Sequence, residues 1–497
     1  MTTGESPDKD YRWQAGVGLL LLAALLNNLG GTAADPDLWG YMAFGRLFWE
    51  EKQFPYHDVF AYVPTLAPWV YHEWLTGVVF YPVYQACGPA GLQLLKYVFG
   101  LGAAAFIFLT ALRRGAHFWS AALVLWMTQL FANIGYSPVR AQVFTYFFFA
   151  LSVYLLEQAR LGGGFRRLWL LAFLQPFWCN LHGGFVAGLG LIGIYGLGEA
   201  LSRRRSLPYF LTLGAAVLAT LANPYGLEYW TYIIRAVSMP RPEITEWASL
   251  AAGFQRGIVS YPEVLYFTVI TAFVILLGWW AKWRELSPLL ALAVTLYLGL
   301  KHIRHQVFFL LLTAAYLPKL FTEYGQALKF SLGWKQLGGK IPAIGAAILG
   351  ATLFIQFLGK SPWKLEVPSY SQPSSPLVHY PLGAMDYIRT QRLEGKLLLE
   401  FKWGEYAMWT LYPRCRVALD GRYETVYPDE ICREYFDFIY ARGEWRRFLE
   451  RYPPDLVLLN PQSPAYPRFL TEPGWRLAYR DTGCALFVRQ ESLMAKP

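Results

Sequence analysis

Long apolar segments separated by short polar ones run through the first 359 residues. A helix of roughly 20 apolar residues is long enough to cross the hydrocarbon core of a bilayer. We predict about eleven such helices, at approximately 13–32, 91–111, 117–135, 140–159, 166–181, 184–201, 207–222, 263–281, 286–301, 305–320 and 341–359. The apolar stretch at 74–86 is short and bounded by proline and glycine, which favours a helix lying along the outer interface. The pattern predicts a mainly α-helical, polytopic membrane domain over residues 1–359.

Short basic clusters between the apolar segments indicate the orientation, because basic residues accumulate on the cytoplasmic side of a membrane. A cytoplasmic N-terminus places most clusters on that side, namely Arg113 with Arg114, Arg160 with Arg166 and Arg167, Arg203 to Arg205, Lys282 with Arg284, and the stretch 319–340. Counting 74–86 as a span would move most of them outside. We therefore expect a multi-pass protein of a bacterial-type inner membrane. The net charge of +10 reflects these clusters and does not indicate a nucleic-acid partner.

The composition changes after residue 359. A linker rich in proline and serine, 360–379, leads to a polar segment, 380–497, with strands predicted at 396–401, 416–420, 455–460, 475–479 and 484–489. Helical patterns at 428–441 and 444–451 favour a small α/β domain, which the topology places on the extracytoplasmic side. No glycine-rich phosphate loop follows any of these strands. The cysteines lack the spacing of metal ligands. The sequence allows one disulfide among Cys415, Cys432 and Cys484 and does not determine which two would pair.

Most polar motifs that interrupt the apolar pattern fall in the predicted outer loops. Five of the seven histidines lie there: His57, His72, His182, His302 and His305. The first outer loop, 33–90, also carries Asp35, Asp37 and Asp58. Ionisable side chains are costly to keep near lipid, so their accumulation at one rim indicates a role. We predict a functional site that faces outward.

Asp37 is the leading candidate for a catalytic residue. A carboxylate at the membrane rim can remove the proton of an acceptor hydroxyl while a sugar phosphate leaves. The alternative is a helix cap or an ordinary loop carboxylate, as Asp-Pro and Pro-Asp sequences often provide. Glu73, in the aromatic segment 69–75, is the second carboxylate assigned to catalysis.

The first outer loop resembles that of the C-class membrane glycosyltransferases, among them the protein O-mannosyltransferases and the lipid A aminoarabinose transferase. The resemblance is carried by Asp37 and Tyr41, by Gly45-Arg46, by the Pro-Tyr-His-Asp turn at 55–58 and by WVYHEWL at 69–75. It implies the fold of that class and assigns the catalytic base to Asp37. Leu38 stands where the family usually has Glu, and the family's proline pair and its second acid are absent. These departures leave the acceptor class open, and they leave open whether the cofactor is none or a divalent cation, Mg²⁺ or Mn²⁺.

Five basic residues are candidates for binding the donor phosphate. Lys96 matches the position of a basic residue that the resembled family places near a lipid-linked phosphate, although a lone lysine in a span also snorkels to the interface. The guanidinium of Arg140 can bind phosphate through two hydrogen bonds. Lys301, Arg304 and His305 form a cationic turn on the predicted outer side, where a phosphate head group is a natural counter-ion. Anchoring of helix ends at the interface is the alternative for all of them.

Seven further residues are expected to line the acceptor or substrate site: Asp35, Tyr41, Asp58, Trp69, His72, Trp74 and His182. For His182, beside two glycines, a buried structural histidine is an equal alternative. The segment Asp420-Gly421-Arg422 is interpreted as a turn held by an ion pair, with sugar or peptide docking as the alternative.

Together these features predict an inverting glycosyltransferase. It would take a sugar from a polyprenyl-phosphate-linked donor within the membrane lipid and pass it to a glycan, lipid or protein acceptor on the outer face. A lipid-carrier flippase or transporter is an alternative that would favour mid-span charges and internal repeats. A glycan polymerase or ligase and a non-catalytic assembly subunit are the remaining alternatives.

Overall fold

The computed structural model describes residues 8–129, 137–239, 241, 243–328, 340–370 and 379–490. Parts of three predicted segments, the span 117–135, the basic stretch 319–340 and the linker 360–379, lie outside the described residues. The helices are α1 (Asp8–Leu29), α2 (Pro36–Glu51), α3 (Trp74–Arg113), α4 (Phe118–Gln129), α5 (Gln142–Gly162), α6 (Trp169–Leu181), α7 (Phe185–Leu201), α8 (Leu207–Ala219), α9 (Glu228–Ser238), α10 (Leu250–Gln255), α11 (Tyr261–Trp280), α12 (Leu286–Lys301), α13 (Gln306–Ala327), α14 (Lys340–Gly359), α15 (Leu382–Thr390), α16 (Gly404–Leu411), α17 (Asp429–Ile439), α18 (Arg447–Arg451) and α19 (Ala465–Phe469). The strands are β1 (Gly395–Leu399), β2 (Cys415–Val417), β3 (Leu456–Leu459), β4 (Trp475–Arg480) and β5 (Ala485–Arg489).

The chain divides into two compact units. The helical unit comprises Met1–Thr32, Gln93–Asn223 and Met239–Lys364. The mixed unit comprises Ala33–Leu92, Pro224–Ser238 and Leu365–Pro497. The first loop and the C-terminal segment, which are far apart in the sequence, therefore belong to one unit.

The fold is mainly helical, as predicted, but the count of eleven spans is not confirmed. Within the described residues, three helices are long and apolar enough to cross a membrane: Trp74–Arg113, Tyr261–Trp280 and Ile303–Ala327. Five more are apolar but shorter: Trp13–Leu29, Phe185–Leu201, Leu207–Ala219, Leu286–Lys301 and Ala343–Gly359. The predicted span 166–181 shows one cause, since it is divided into a 3₁₀ turn at Phe165–Leu168 and the 13-residue α6.

Helix α3 contains the predicted boundary between the segments 74–86 and 91–111. Gly88 has φ 61° and ψ −156°, which is outside the helical region and is tolerated by glycine because it has no Cβ atom. Pro82 and Pro89 also lie within the helix. The break separates two helical segments inside one 40-residue element.

Small residues allow close helix packing in both units. In the helical unit, α1 and α14 approach so closely that a Cβ atom at Gly350 would lie 3.1 Å from the backbone of Leu20. In the mixed unit, a Cβ atom at Gly45 of α2 would lie 2.1 Å from the carbonyl oxygen of Gly77 in α3. The interior of the helical unit is built mainly from α5 and α13, whose residues are largely buried.

A buried ion-pair network ties three parts of the helical unit together. Arg114, at the end of α3, pairs with Glu157 of α5 and with Glu285, directly before α12. Arg160 donates to Glu157 at 2.9 Å and lies 3.4 Å from Glu285. Arg114 and Arg160 were expected to be ordinary loop cations, but both are buried counter-ions of interior carboxylates.

The mixed unit contains the predicted small C-terminal sheet, with all five predicted strands. The strand order is β2-β1-β3-β5-β4, in which β1 is parallel to β2 and β3, and β5 is antiparallel to β3 and β4. The first loop extends this sheet, since the Tyr62 amide donates to the Val417 carbonyl at 3.1 Å and the Val417 amide donates to the Phe60 carbonyl at 2.9 Å. All five cysteines lie within the described residues and are free thiols.

Candidate active site

Asp37 lies in the first turn of α2, where a negative charge is favoured by the helix dipole. The N-cap of this helix is Asp35, whose Oδ1 accepts a hydrogen bond from the Asp37 amide at 3.1 Å, and Pro36 occupies the first position. Capping is therefore performed by Asp35, and the Asp37 side chain is half-buried. Asp37 therefore lies half-buried in the first turn of α2 and is not the residue that caps the helix.

Glu405, in the first turn of α16, is a buried carboxylic acid beside Asp37. Its Oε2 accepts a hydrogen bond from the Gly40 amide at 3.1 Å. A Cβ atom at Gly421 would lie 2.8 Å from Glu405 Oε1 and 3.6 Å from Asp37 Oδ1, so the two carboxyl groups converge on this glycine. Burial, and then the charges of Asp37 and Asp420, raise the pKa of Glu405 well above its ordinary value. The raised pKa favours the protonated form of Glu405 beside the carboxyl group of Asp37.

An interior clamp connects the first loop to the C-terminal segment of the mixed unit. Arg422 donates to both oxygens of Asp420 at 2.8 Å and also to Asp58. The guanidinium lies 4.9 Å from the ring centre of Trp69 and 5.2 Å from that of Phe60. The turn at 420–422 is thus held by an ion pair, and Asp58 belongs to that ion pair.

Tyr71 is close enough to Glu405, Glu73 and Asp37 to interact electrostatically with all three acids. Burial has the largest effect on the pKa of Tyr71 and raises it well above the ordinary value. The negative charges of Glu405 and Glu73 raise the pKa further, and that of Asp37 has a smaller effect in the same direction. The Tyr71 amide donates to the hydroxyl of Tyr225 at 3.0 Å. Tyr71 was not among the sequence candidates, although it lies within the segment 69–75 that was.

The remaining candidates of the first loop occupy different surroundings. His72 lies 3.0 Å from the Tyr232 hydroxyl through Nδ1 and 3.5 Å from Glu73 through Nε2. Trp74 begins α3 and packs edge-on against Phe54. Tyr41 and Trp69 are fully buried, Tyr41 against Phe80 and Trp69 against Tyr71. Their contact with an acceptor stays a prediction.

We expect Glu405→Gln to flatten the pH dependence of stability, because glutamine keeps the shape but cannot ionise. The folded protein holds the Glu405 proton, whereas the unfolded chain releases it near pH 4.5. Wild-type stability should therefore be largest below that pH and fall by up to about 1.4 kcal/mol per pH unit as pH rises towards the folded pKa. The measurement is the thermal unfolding midpoint of both proteins between pH 5 and pH 8. The control Glu430→Gln removes an exposed carboxyl whose pKa is already lowered by Arg451, and it should keep the wild-type slope. An equal slope in Glu405→Gln would contradict the assignment.

A second cluster lies within the helical unit and gathers several of the predicted phosphate ligands. Both terminal nitrogens of Arg140 donate to Glu246 Oε1 at 3.1 Å. Burial alone would raise the pKa of Glu246, but Arg140 and Arg304 lower it to about 2, with a smaller effect of His182. Trp247 lies at the centre of this cluster. The guanidinium of Arg304 lies 4.9 Å from its ring centre. The aromatic rings of His302 and His305 also pack against Trp247, at 5.1 and 5.7 Å.

Lys96, His182 and Lys301 were also sequence candidates. Lys96 is fully buried and donates to the Gly31 carbonyl at 2.8 Å. Nδ1 of His182 lies 2.8 Å from the Thr145 hydroxyl and accepts from the Gly184 amide at 2.9 Å. Lys301 is the exposed last residue of α12. The phosphate role of Lys96 and Lys301 stays a prediction.

Sequence reasoning missed Glu405, and it considered Glu246 only as a loop residue that could close over an acceptor. Glu405 interrupts an aromatic segment, which was a weak signal, whereas its partner Gly40 lies 365 positions away in the chain. Among the described residues, no group of three His, Cys, Asp or Glu side chains is placed to hold a metal ion. Binding of Mg²⁺ or Mn²⁺ therefore stays a prediction, and the described residues provide no cluster of ligands for either ion.

The structure is similar to that of the oligosaccharyltransferase of Archaeoglobus fulgidus, which was solved with a tethered acceptor peptide. The TM-score is 0.56 at 12% sequence identity, and the match covers 90% of this chain and 69% of that one. No protein-family model and no curated protein matches the sequence. At this identity the similarity concerns the fold, and the chain thus has a fold like that of the C-class membrane glycosyltransferases.

Proposed function

We propose that this chain is an inverting glycosyltransferase of a bacterial-type inner membrane. It transfers a sugar from a polyprenyl-phosphate-linked donor to a glycan, lipid or protein acceptor on the outer face. The observation that carries the proposal is the pair formed by Asp37 and the neutral Glu405 around Gly421. The C-class fold supports it, because members of that class need no nucleotide-binding motif and this chain has none after its predicted strands.

Asp37 is the general base in this proposal. Its carboxylate takes the proton of an acceptor hydroxyl as the oxygen attacks the anomeric carbon of the sugar. The bond from that carbon to the phosphate oxygen breaks on the opposite side, and polyprenyl phosphate leaves with the electron pair. A single displacement of this kind inverts the anomeric configuration.

Glu405 is a positioning residue for Asp37. Two ionised carboxylates that face the same glycine, Gly421, would repel each other, and one of them would take up a proton. Burial favours the proton on Glu405, so the Asp37 carboxylate serves as the base in this proposal. The hydrogen bond from the Gly40 amide to Glu405 also connects α16 to the helix that carries Asp37.

The cluster around Trp247 binds the donor phosphate in this proposal. Arg140 and Arg304 are two guanidinium groups with one carboxylate, Glu246, between them. Both terminal nitrogens of Arg140 donate to one oxygen of Glu246, and the same two nitrogens are suited to binding two oxygens of a phosphate. Glu246 is the anion that the nitrogens of Arg140 hold in this structure, and the singly charged phosphodiester of the donor competes for the same nitrogens.

Donor binding tests this assignment, and we expect Arg140→Gln and Arg304→Gln each to weaken it by about tenfold or more, because each loses a charge-assisted hydrogen bond. Native mass spectrometry of the purified protein with a polyprenyl-phosphate-linked sugar measures the dissociation constant of the donor. The matched control is Arg235→Gln, which removes an exposed arginine paired with Asp429 at 3.3 Å and should bind as wild type. Unchanged binding in both Trp247-cluster variants would contradict the phosphate site.

A further inference from the structure

An apolar groove runs along the surface of the helical unit between α11, α12 and α13. Its volume is about 350 Å³, and its walls include Val274, Ile275, Leu289, Leu296 and Phe309. It is continuous, through Gly278, Trp279 and Trp283, with an open depression of about 470 Å³ at the turn between α11 and α12. The two spaces form one elongated site. One end is lined by the apolar side chains of α11, α12 and α13, and the other, here called the turn end, is formed by residues 278–284.

The turn end is aromatic and basic. Trp279 is 80% exposed, and Trp280 and Trp283 stand beside it with the exposed side chains of Lys282 and Arg284. The turn has a fixed shape, because the Lys282 amide donates to the Trp279 carbonyl at 3.1 Å and the Trp283 amide donates to the Gly278 carbonyl at 2.9 Å. Lys282 has φ 48°, a left-handed conformation that non-glycine residues seldom adopt.

The two cations have no acidic partner within the described residues of the chain. The adjacent acid, Glu285, is engaged elsewhere by Arg114, by Arg160 at 3.4 Å and by Lys319 at 3.9 Å. Lys282 and Arg284 therefore present uncompensated positive charge directly above an apolar groove. This arrangement matches a molecule with an anionic head and a hydrocarbon tail.

We propose that the groove binds one anionic glycerophospholipid, with an acyl chain along α11 and α12 and the phosphate on Lys282 and Arg284. Tryptophan side chains prefer the level of lipid head groups, and Trp279 and Trp283 mark that level at the mouth of the groove. Basic residues near a bilayer surface attract anionic lipids, whereas a zwitterionic head group adds an ammonium that the two cations repel. An acyl lipid is the expected occupant because bilayer lipids surround this surface in large excess.

The test is native mass spectrometry of the purified full chain with added phosphatidylglycerol. We expect wild type to retain this lipid and Lys282→Gln/Arg284→Gln to bind it about tenfold more weakly, since two charges near the surface are lost. A second variant, Ala293→Phe, keeps both charges and places a ring in the groove, where Ala293 is an exposed lining residue. It should also weaken retention of the lipid.

The control is Arg203→Gln/Arg204→Gln, in the turn between α7 and α8. These arginines are exposed, Arg203 has φ 55° like Lys282, and the turn at 202–206 carries no tryptophan. This variant should retain phosphatidylglycerol as wild type does. Equal retention in wild type and Lys282→Gln/Arg284→Gln would overturn the proposal, as would equal retention of phosphatidylcholine or displacement of phosphatidylglycerol by equimolar polyprenyl phosphate.

Discussion

Replacing Asp37 with asparagine should lower the rate of sugar transfer by about 10²- to 10⁴-fold, which is the usual contribution of a positioned general base. Asparagine has the same size but cannot accept the acceptor's proton. The fold should persist, because the N-cap of α2 is Asp35 and its bond comes from the backbone amide of residue 37. The measurement is the initial rate of transfer from a polyprenyl-phosphate-linked sugar in proteoliposomes.

The matched control for this substitution is Asp429→Asn. Asp429 is also an acid in the first turn of a helix, α17, and it pairs with an exposed arginine, Arg235, at 3.3 Å. It should keep the wild-type rate within a factor of about two, since exposed ion pairs contribute little. If Asp37→Asn also kept that rate, Asp37 would not be the base.

Replacing Arg422 with methionine should destabilise the protein by about 3–5 kcal/mol, because it leaves the buried carboxylates Asp420 and Asp58 without their counter-ion. All three side chains of this clamp are at most 1% exposed. The hydrogen bonds reach across 364 positions of the chain, so the substitution also loosens the first loop that carries Asp37. The thermal unfolding midpoint in detergent should fall by roughly ten degrees.

Arg446→Met is the control for the clamp. Arg446 pairs with Glu472 at 2.9 Å, but its side chain is 56% exposed. Solvent screens such a pair, so its loss should cost no more than about 1 kcal/mol. Equal unfolding midpoints for Arg422→Met and Arg446→Met would show that the clamp does not stabilise the unit.

Local sequence patterns were sufficient for the strands of the mixed unit. Strands such as Leu456–Leu459 are short apolar runs bounded by turn residues, and a helix begins where Pro36 follows Asp35. These features depend on neighbours in the chain. The sequence therefore predicted a small α/β sheet, whereas a helix N-terminus at Asp37 was only the alternative to its catalytic role.

The pairing of acids with distant partners could not be predicted in the same way. The pKa of Glu405 depends on burial and on Asp37 and Asp420, which lie in other segments. Glu246 is charged because Arg140 and Arg304 face it, although only the arginines stood out in the sequence. Hydropathy also treated Arg114 as a loop cation, whereas Glu157 holds it in the interior. Single-residue patterns do not record such non-local charge pairs.

The most direct measurement follows a polyprenyl-phosphate-linked sugar, labelled at the anomeric carbon, through incubation with proteoliposomes of the purified protein and a membrane extract as the acceptor source. Mass spectrometry measures the release of polyprenyl phosphate, and NMR measures the configuration at the labelled carbon of the product. We predict release of polyprenyl phosphate together with a new glycosidic bond of inverted configuration. Recovery of the intact donor on the opposite side of the membrane, or a product of retained configuration, would contradict the account.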